Sequence, residues 1–313
     1  MGIKQLNKFL KFKAKEILTQ IHFSELYGKK VCVDTMIYIY KYKKEGALLE
    51  NFYKMCIQFR KYNIQPIFIF DGNIPEEKKY EIQRRKELKN KAKEELEKLN
   101  DIKNLTLEQV RKKDELTKMI IKPNNEDIND VKNLIELCGY KYIVSDGEAD
   151  TICCYLVKKK TVFACISEDM DMFCYGCPRV LRYFNIRHNT MVLYNLSDIL
   201  KKINMNFINF KWLCILSGTD YHTSYNKKKN IFYYYKLYCK YVTFDNIKMN
   251  FYDWLIETKL LDDVDEDYIK IFNMFQLKNI DLKYIVMRTG YLNMPLIYNL
   301  LEKEHFINPL KVY

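Results

Sequence analysis

Three short apolar segments, each followed by acidic residues, constrain the fold of this chain more than any other feature. The segments and their acids are 30–33 with Asp34, 65–70 with Asp71, and 162–166 with Asp169 and Asp171. Helix-like sequence separates the segments, and such alternation is typical of a parallel sheet. The sequence therefore predicts an α/β fold with a central, mostly parallel sheet flanked by helices. Open sheets of this kind place their functional sites at the carboxyl ends of the strands.

The acids after the third segment lie in the sequence Ser167-Glu168-Asp169-Met170-Asp171. We expect the strand to continue into this sequence, where side chains two apart face the same side. Asp169 and Asp171 then project together, whereas Glu168 and Met170 point elsewhere. Two carboxylates this close repel each other, and a divalent cation between them removes the repulsion. The pair is therefore interpreted as part of a metal site.

Composition limits the class of protein. The chain has 313 residues, of which 48% are hydrophobic and 29% charged, and this excludes a disordered chain. The formal net charge of +12 favours an acidic partner, with nucleic acid first and an anionic membrane surface second. No apolar run is long enough to span a membrane. The ten cysteines lack framework spacing, which is typical of the reduced thiols of an intracellular protein.

Charge also divides the chain into regions. Residues 74–125 are mostly dense in Lys, Arg and Glu, and pairs of opposite charge four residues apart predict helices. This stretch is interpreted as a helical insertion that projects from a core domain over 1–221. It is either a solvated hairpin or a basic clamp over the site, and its length favours the clamp. Residues 222–313 predict a second, helical lobe packed on the core.

Seven acids stand at the ends of predicted elements. They are Asp34, Asp71, Glu148, Asp150, Asp169, Asp171 and Asp220. Any one of them alone is more often a turn former or a helix cap, and Ser145-x-x-Glu148 matches a capping box. Together, with no run of histidines or cysteines nearby, they predict an oxygen-rich site for Mg²⁺ or Mn²⁺. Two such ions about 4 Å apart activate water and stabilise the leaving oxygen of a phosphodiester.

Six short motifs, in the same order, resemble those of the structure-specific 5′ nucleases of the flap endonuclease and XPG-like family. They are Met1-Gly2-Ile3, Val33-Asp34 with Tyr40, Ile69-Phe70-Asp71-Gly72, Gly147-Glu148-Ala149-Asp150, Ser167-Glu168-Asp169-Met170-Asp171, and the run from Leu213 to Tyr221. Asp150 replaces the second glutamate of the family motif. The resemblance implies a PIN-like nuclease core that binds two Mg²⁺ ions, for which Mn²⁺ substitutes.

The resemblance also implies roles for individual residues. The seven acids match metal ligands, some of them acting through water, and Asp169 and Asp171 belong to the catalytic centre. Lys78 and Arg85 match a catalytic basic pair that stabilises charge on the scissile phosphate. Tyr40 matches an aromatic residue that stacks on a terminal base. Gly2 and Arg84 are further expected DNA contacts.

Two departures from the family pattern affect the expected partners. The glycine-rich turn that grips duplex phosphates around a monovalent ion is replaced by the glycine-free stretch 224–230. Lys227, Lys228 and Lys229 are expected to contact phosphates there as point charges. No sliding-clamp-binding box is recognisable, and we expect a monomer.

The sequence thus predicts a Mg²⁺-dependent DNA nuclease that cuts 5′ flaps and single-/double-strand junctions and has 5′→3′ exonuclease activity. Replication, repair or recombination would be its context, in the nucleus or at a cytoplasmic viral replication site. The alternatives are a four-way-junction resolvase, an RNA 5′ exonuclease, and a catalytically silent DNA-binding scaffold. The occupation of all seven acidic positions argues against the scaffold.

Overall fold

The computed structural model describes residues 2–73, 78–222, 229–244, 249–261, 266–277 and 287–305. Its strands are β1 (Thr19–His22), β2 (Lys30–Asp34), β3 (Gln65–Phe70), β4 (Lys141–Val144), β5 (Ala164–Ile166), β6 (Arg179–Asn185), β7 (Thr190–Asn195) and β8 (Met287–Thr289). Its helices are α1 (Leu6–Lys13), α2 (Thr35–Lys44), α3 (Leu48–Lys61), α4 (Lys79–Asn100), α5 (Leu107–Ile120), α6 (Asn125–Leu137), α7 (Ala149–Lys158), α8 (Asp171–Cys174), α9 (Leu196–Lys202), α10 (Phe207–Leu216), α11 (Ile231–Tyr241), α12 (Phe251–Glu257), α13 (Glu266–Met274) and α14 (Met294–Leu301).

The strands form one sheet in the order β1-β7-β6-β5-β2-β3-β4-β8. The five central strands, from β6 to β4, run parallel. The pairs at the two edges, β1 with β7, β7 with β6, and β8 with β4, are antiparallel. The predicted α/β fold with a mostly parallel sheet is confirmed. The short edge strands β1 and β8 were not predicted, because neither has the apolar run of a central strand.

Apolar side chains fill both faces of the sheet. Val31 and Val33 of β2 pack with α2, α3, α6 and α14, whereas Cys32 packs with α1, α7 and α10 on the other face. All three side chains are completely buried. A strand that is covered on both sides needs apolar residues at every position. The continuous apolar runs in the sequence follow from this arrangement.

The parallel strands bring their carboxyl ends to one edge of the sheet. Asp34 at the end of β2 pairs in register with Ile69 of β3, and Ile69 pairs with Ile143 of β4. The strand β5 ends at Ile166, earlier than predicted, so Asp169 and Asp171 lie beyond it rather than on it. The acids that follow these strands therefore share one edge, which we call the carboxyl edge.

Helices α4 and α5 pack against each other as a hairpin between β3 and β4. The 22 residues of α4 give it a length of about 33 Å. Thr106 begins α5 with a capping box that includes Gln109. Among the described side chains of the two helices, the buried ones are Glu81, Ala92 and Leu116. The hairpin is therefore held by its own contacts more than by the core.

Two further properties concern the environment of the protein. Within the described ranges, no helix combines the length and the apolar character needed to cross a bilayer. All ten cysteines are free thiols, and nine of them are buried.

Candidate active site

Three carboxylates converge at the carboxyl edge. Asp150 lies in the first turn of α7, Asp169 lies in the loop after β5, and Asp171 begins α8. Ligand oxygens from the three residues lie within 4.8 Å of one another. The expected extended geometry of the Asp169–Asp171 segment is wrong, because the Asp171 amide turns back to donate to Asp169 Oδ1 at 3.0 Å. The two carboxylates are therefore brought together by a turn, and not by the alternation of side chains along a strand that was expected.

Asp171 is the most constrained of these acids. The residue is 1% exposed, and neither carboxylate oxygen has a hydrogen-bond partner among the described residues. Burial raises the pKa of Asp171 well above its usual range, and the neighbouring Asp169 raises it further. The pKa of the buried Asp150 is raised in the same way, by burial and then by Asp34. Carboxylate oxygens that are buried close together, without hydrogen-bond partners, are suitable ligands for a hard divalent cation.

The start of the chain packs directly on these carboxylates. Gly2 has a φ of +73°, and a Cβ atom there would lie 2.2 Å from Asp169 Oδ1 and 2.4 Å from Asp171 Oδ1. Only glycine fits this position. Two residues later, the Lys4 amide donates to Gly218 O at 2.9 Å, and Lys4 Nζ lies 3.1 Å from Asp220 Oδ1. The segment therefore connects the carboxylates of two distant parts of the chain.

Asp34 and Asp71 approach the cluster from β2 and β3. Asp34 is buried and accepts a hydrogen bond from Ser167 Oγ at 2.8 Å, and burial raises its pKa well above the usual range. Asp71 Oδ1 accepts from the Ala149 amide at 2.7 Å. Gly72 lets the two loops meet, since a Cβ there would lie 1.9 Å from Ser145 O. This contact holds Asp71 beside the first turn of α7.

Glu148 joins a tyrosine and a lysine. One of its carboxylate oxygens pairs with Lys78 Nζ, and the other accepts from the Tyr221 hydroxyl at 2.7 Å. Lys78 Nζ also lies 5.0 Å from the centre of the Tyr221 ring. Burial alone would lower the pKa of Lys78, but Glu148, Asp171 and Asp150 outweigh burial and raise it. The lysine is therefore held charged beside the carboxylates.

The capping-box alternative for Glu148 is wrong. Glu148 is the N-cap residue of α7, but its side chain makes no capping hydrogen bond. Ser145 Oγ instead donates to the Glu148 carbonyl at 3.1 Å. The Glu148 carboxylate is therefore directed to Lys78 and Tyr221.

We expect Tyr221→Phe to weaken metal binding by about 10- to 100-fold, because the hydroxyl that orients Glu148 is lost. The measurement is Mn²⁺ binding by calorimetry, together with the Mg²⁺ dependence of any nuclease activity. Tyr238→Phe is the matched control, since it removes one hydrogen bond, to Asn204 O at 3.0 Å, from another part of the fold. Equal metal affinity in the two variants would contradict this role for Tyr221.

Arg85 joins the hairpin to the carboxyl edge. Its Nη2 atom lies 2.7 Å from Asp220 Oδ2, and its Nε atom donates to Glu81 Oε1 at 2.7 Å. Arg84 binds both oxygens of Glu81 and makes no described contact with the carboxylate cluster. Burial would raise the pKa of Glu81, but the two arginines lower it to about 2. Glu81 is thus a charged anchor that positions Arg85.

The remaining residues predicted to bind DNA have fewer contacts with the carboxylate cluster. Tyr40 is half-buried on α2, and burial raises its pKa, while the nearby Arg85 lowers it. Lys229 is half-buried and precedes α11. Lys227 and Lys228 lie outside the described residues.

Sequence reasoning missed three residues that contact the predicted acids. They are Lys4, Ser167 and Tyr221. Ser167 and Tyr221 lie inside quoted motifs, so their place next to an aspartate was an available signal. Lys4 carried no such signal, because only the fold brings residue 4 to Asp220.

Two family models match the chain. The XPG N-terminal domain matches residues 1–92, and the XPG I-region matches residues 139–220. Flap endonuclease 1 of Glycine max is 29% identical over 240 residues, covering 71% of this chain and 62% of that protein. Flap endonuclease 1 of Encephalitozoon cuniculi is 30% identical over 238 residues, covering 71% of this chain and 68% of that protein. The chain thus matches less than two thirds of the length of the soybean relative.

A solved structure supports the fold. The catalytic core of Rad2 in complex with DNA substrate is 19% identical, with a TM-score of 0.66, and the match covers 97% of this chain and 95% of that one. The two matched family regions contain all seven candidate acids, and the stretch between them includes most of the α4–α5 hairpin. On the family models and on the identity to the Encephalitozoon cuniculi protein, this chain belongs to the flap endonuclease and XPG family.

Proposed function

We propose that the chain is a Mg²⁺-dependent, structure-specific nuclease that hydrolyses DNA phosphodiesters at 5′ flaps and single-/double-strand junctions. It also degrades DNA from 5′ ends, in replication, repair or recombination. The observation that carries the proposal is the Asp171 carboxylate, buried without partners beside Asp150 and Asp169. Lys78 and Arg85 lie next to this cluster and supply the positive charge that a phosphate needs.

Nucleases of this family depend on metal ions, and the oxygen-only donor set fits Mg²⁺, with Mn²⁺ as a substitute. We assign two ions to the seven acids, with Asp150, Asp169 and Asp171 at the centre and Asp34, Asp71, Glu148 and Asp220 around them. When bound, such a pair of ions activates water and stabilises the leaving oxygen.

The side chains then have distinct roles in the proposal. Lys78 and Arg85 bind the scissile phosphate and leave their carboxylate partners as substrate and metal enter. Tyr40 stacks on the terminal base, and Gly2 lies close to the substrate. Arg84 and the lysines 227–229 bind other phosphates. Because these contacts are to the backbone, selectivity comes from DNA shape.

The proposal includes the organisation of the chain. A nuclease core covers 1–221 and includes an arch over 74–125, and a helical lobe covers 222–313. The protein acts as a monomer. The ten free thiols support an intracellular location, in the nucleus or at a cytoplasmic viral replication site.

A panel of 5′-labelled substrates tests the function. We expect a 5′ flap to be cut near the junction with Mg²⁺ or Mn²⁺, and no cutting with EDTA. Flap, four-way junction, gapped duplex and RNA are compared at equal concentration. Preference for the four-way junction indicates a resolvase, and preference for RNA indicates an RNA 5′ exonuclease. An intact flap at high enzyme excess, with the duplex still bound, would mean a DNA-binding scaffold and refute the proposal.

A further inference from the structure

Two neighbouring helices are basic without acidic residues. Residues 2–15, which include α1, contain five lysines and no Asp or Glu, and residues 229–244, which include α11, contain three lysines and no Asp or Glu. The whole chain, by contrast, has 40 acids against 52 Lys and Arg. Part of the net positive charge is therefore concentrated on α1 and α11.

Some lysines elsewhere on the surface are neutralised by a carboxylate. Three examples are Lys43 with Asp127 at 2.7 Å, Lys54 with Glu50 at 2.5 Å, and Lys303 with Asp130 at 2.8 Å. On α1, in the part of the chain that the structure describes, Lys8 and Lys11 have no carboxylate partner. Lys11 Nζ lies instead 4.5 Å from the centre of the Tyr183 ring. The charge of these lysines is thus available to a ligand.

The two helices pack against each other. Phe9 of α1 packs on Tyr235 of α11 with their ring centres 4.9 Å apart, and Lys13 Nζ lies 5.0 Å from the Tyr235 ring. Both helices carry exposed lysines. They are Lys8 and Lys11 on α1, and Lys236 and Lys240 on α11. We call these four residues the basic face.

The basic face begins at the candidate active site. Lys4, just before α1, contacts Asp220, and Lys8 lies four residues further along the chain, in the first turn of α1. Lys8 and Lys11 are three residues apart and lie on the same side of the helix. A polyanion that reaches the carboxylate cluster beside Lys4 would therefore meet further positive charge along α1.

We propose that the basic face binds the sugar–phosphate backbone of the duplex arm of the substrate. This inference rests on the proposed nuclease function and extends it to α1, which carries none of the predicted DNA contacts. Single-stranded DNA is a poorer candidate, since its binding sites use successive exposed aromatic rings and α1 exposes one, Phe12, at 71%. A membrane surface is disfavoured because the apolar side chains Leu6, Phe9 and Leu10 are buried in the core.

The test compares two charge-matched double variants. Lys8→Gln/Lys11→Gln removes two charges from the basic face. Lys30→Gln/Lys61→Gln removes two exposed charges at the start of β2 and the end of α3, at the opposite edge of the sheet. Both are made in an Asp171→Asn background, so that binding is measured without cutting. Binding of a blunt DNA duplex and of a single strand of equal length is followed by fluorescence anisotropy between about 50 and 300 mM salt. Affinity that depends on phosphate contacts falls steeply over about this range.

We expect Lys8→Gln/Lys11→Gln to raise the Kd for the duplex about tenfold and to reduce the slope of log K against log salt by roughly 1.8. The control pair should keep the slope of its parent. Equal slopes in both pairs, or a loss confined to single-stranded DNA, would overturn the inference. Flap cutting by the wild type distinguishes failure of this inference from failure of the proposed nuclease function. If the wild type cuts the flap and the two variant pairs have equal slopes, only the role of the basic face is refuted.

Discussion

Asp171→Asn is expected to reduce cleavage of a 5′ flap at least about 10³-fold, with duplex binding largely retained. The asparagine keeps the shape of the side chain but removes the charge at the centre of the carboxylate cluster. The measurement is single-turnover cleavage at saturating Mg²⁺, together with anisotropy of the labelled duplex. Asp114→Asn, at an exposed position on α5, is the control for loss of one carboxylate.

The same substitution should have opposite effects on stability with and without metal. In EDTA, Asp171→Asn removes a buried ionisable carboxyl group that has no partner, so the variant should melt at a higher temperature than the wild type. Each kcal/mol corresponds to about 2–4 °C for a domain of comparable size. In Mg²⁺ the order should reverse, since bound metal stabilises only a protein that holds it.

The difference in stability between Asp171→Asn and the wild type in EDTA should also depend on pH. The pKa of Asp171 is raised by burial, so the folded wild type holds a proton that the unfolded chain loses. Its stability is then highest below the usual aspartate pKa and falls as the pH rises towards the raised pKa of Asp171. The advantage of the asparagine variant should therefore grow with rising pH. An advantage that is independent of pH, or a variant that still responds to Mg²⁺ like the wild type, would contradict the assigned role of Asp171.

Lys78→Ala is expected to lower kcat about 10²- to 10³-fold, because the charge beside the scissile phosphate is lost. The Kd for the flap substrate should change little, since one phosphate contact among many is removed. The Mg²⁺ concentration that gives half-maximal activity should not rise, because Glu148 loses a competitor for its carboxylate. Measuring kcat, Kd and the Mg²⁺ midpoint together distinguishes a catalytic charge from a structural one.

Lys98→Ala is the matched control for Lys78→Ala. Lys98 lies near the far end of α4 and is exposed, so its loss should leave kcat unchanged. Lys78→Arg should recover part of the activity, since it restores the positive charge. A large rise in the Mg²⁺ midpoint of Lys78→Ala would show instead that the lysine supports the metal ligands.

The parts of the site that could be predicted from sequence are those set by the strands. Asp34 and Asp71 follow apolar runs that must be buried on both faces, so the sheet alone places them at one edge. The family resemblance also identified Lys78 and Arg85, and their separation of seven residues, about two helical turns, lets both face the carboxylates. In each case the sequence around the residue is enough to predict where its side chain lies.

The remaining features depend on contacts that no local pattern encodes. The turn between Asp169 and Asp171 arises where β5 stops at Ile166, and strand ends are set by pairing with neighbours rather than by propensity. The edge strand β8 forms because the chain returns to β4 from more than a hundred residues away. Tyr221 binds Glu148 across a separation of 73 residues.

The ion pair between Lys4 and Asp220 joins positions 216 residues apart. Because a ribosome adds about 5–20 residues per second, the partner of Lys4 is synthesised roughly 10–40 s after Lys4 itself. For about the first three quarters of this interval, Asp169 and Asp171, the acids that Gly2 contacts, have not yet been made. A nascent chain therefore lacks part of the carboxylate set until Asp220 is made, and all seven acids are present only when most of the polypeptide has been synthesised.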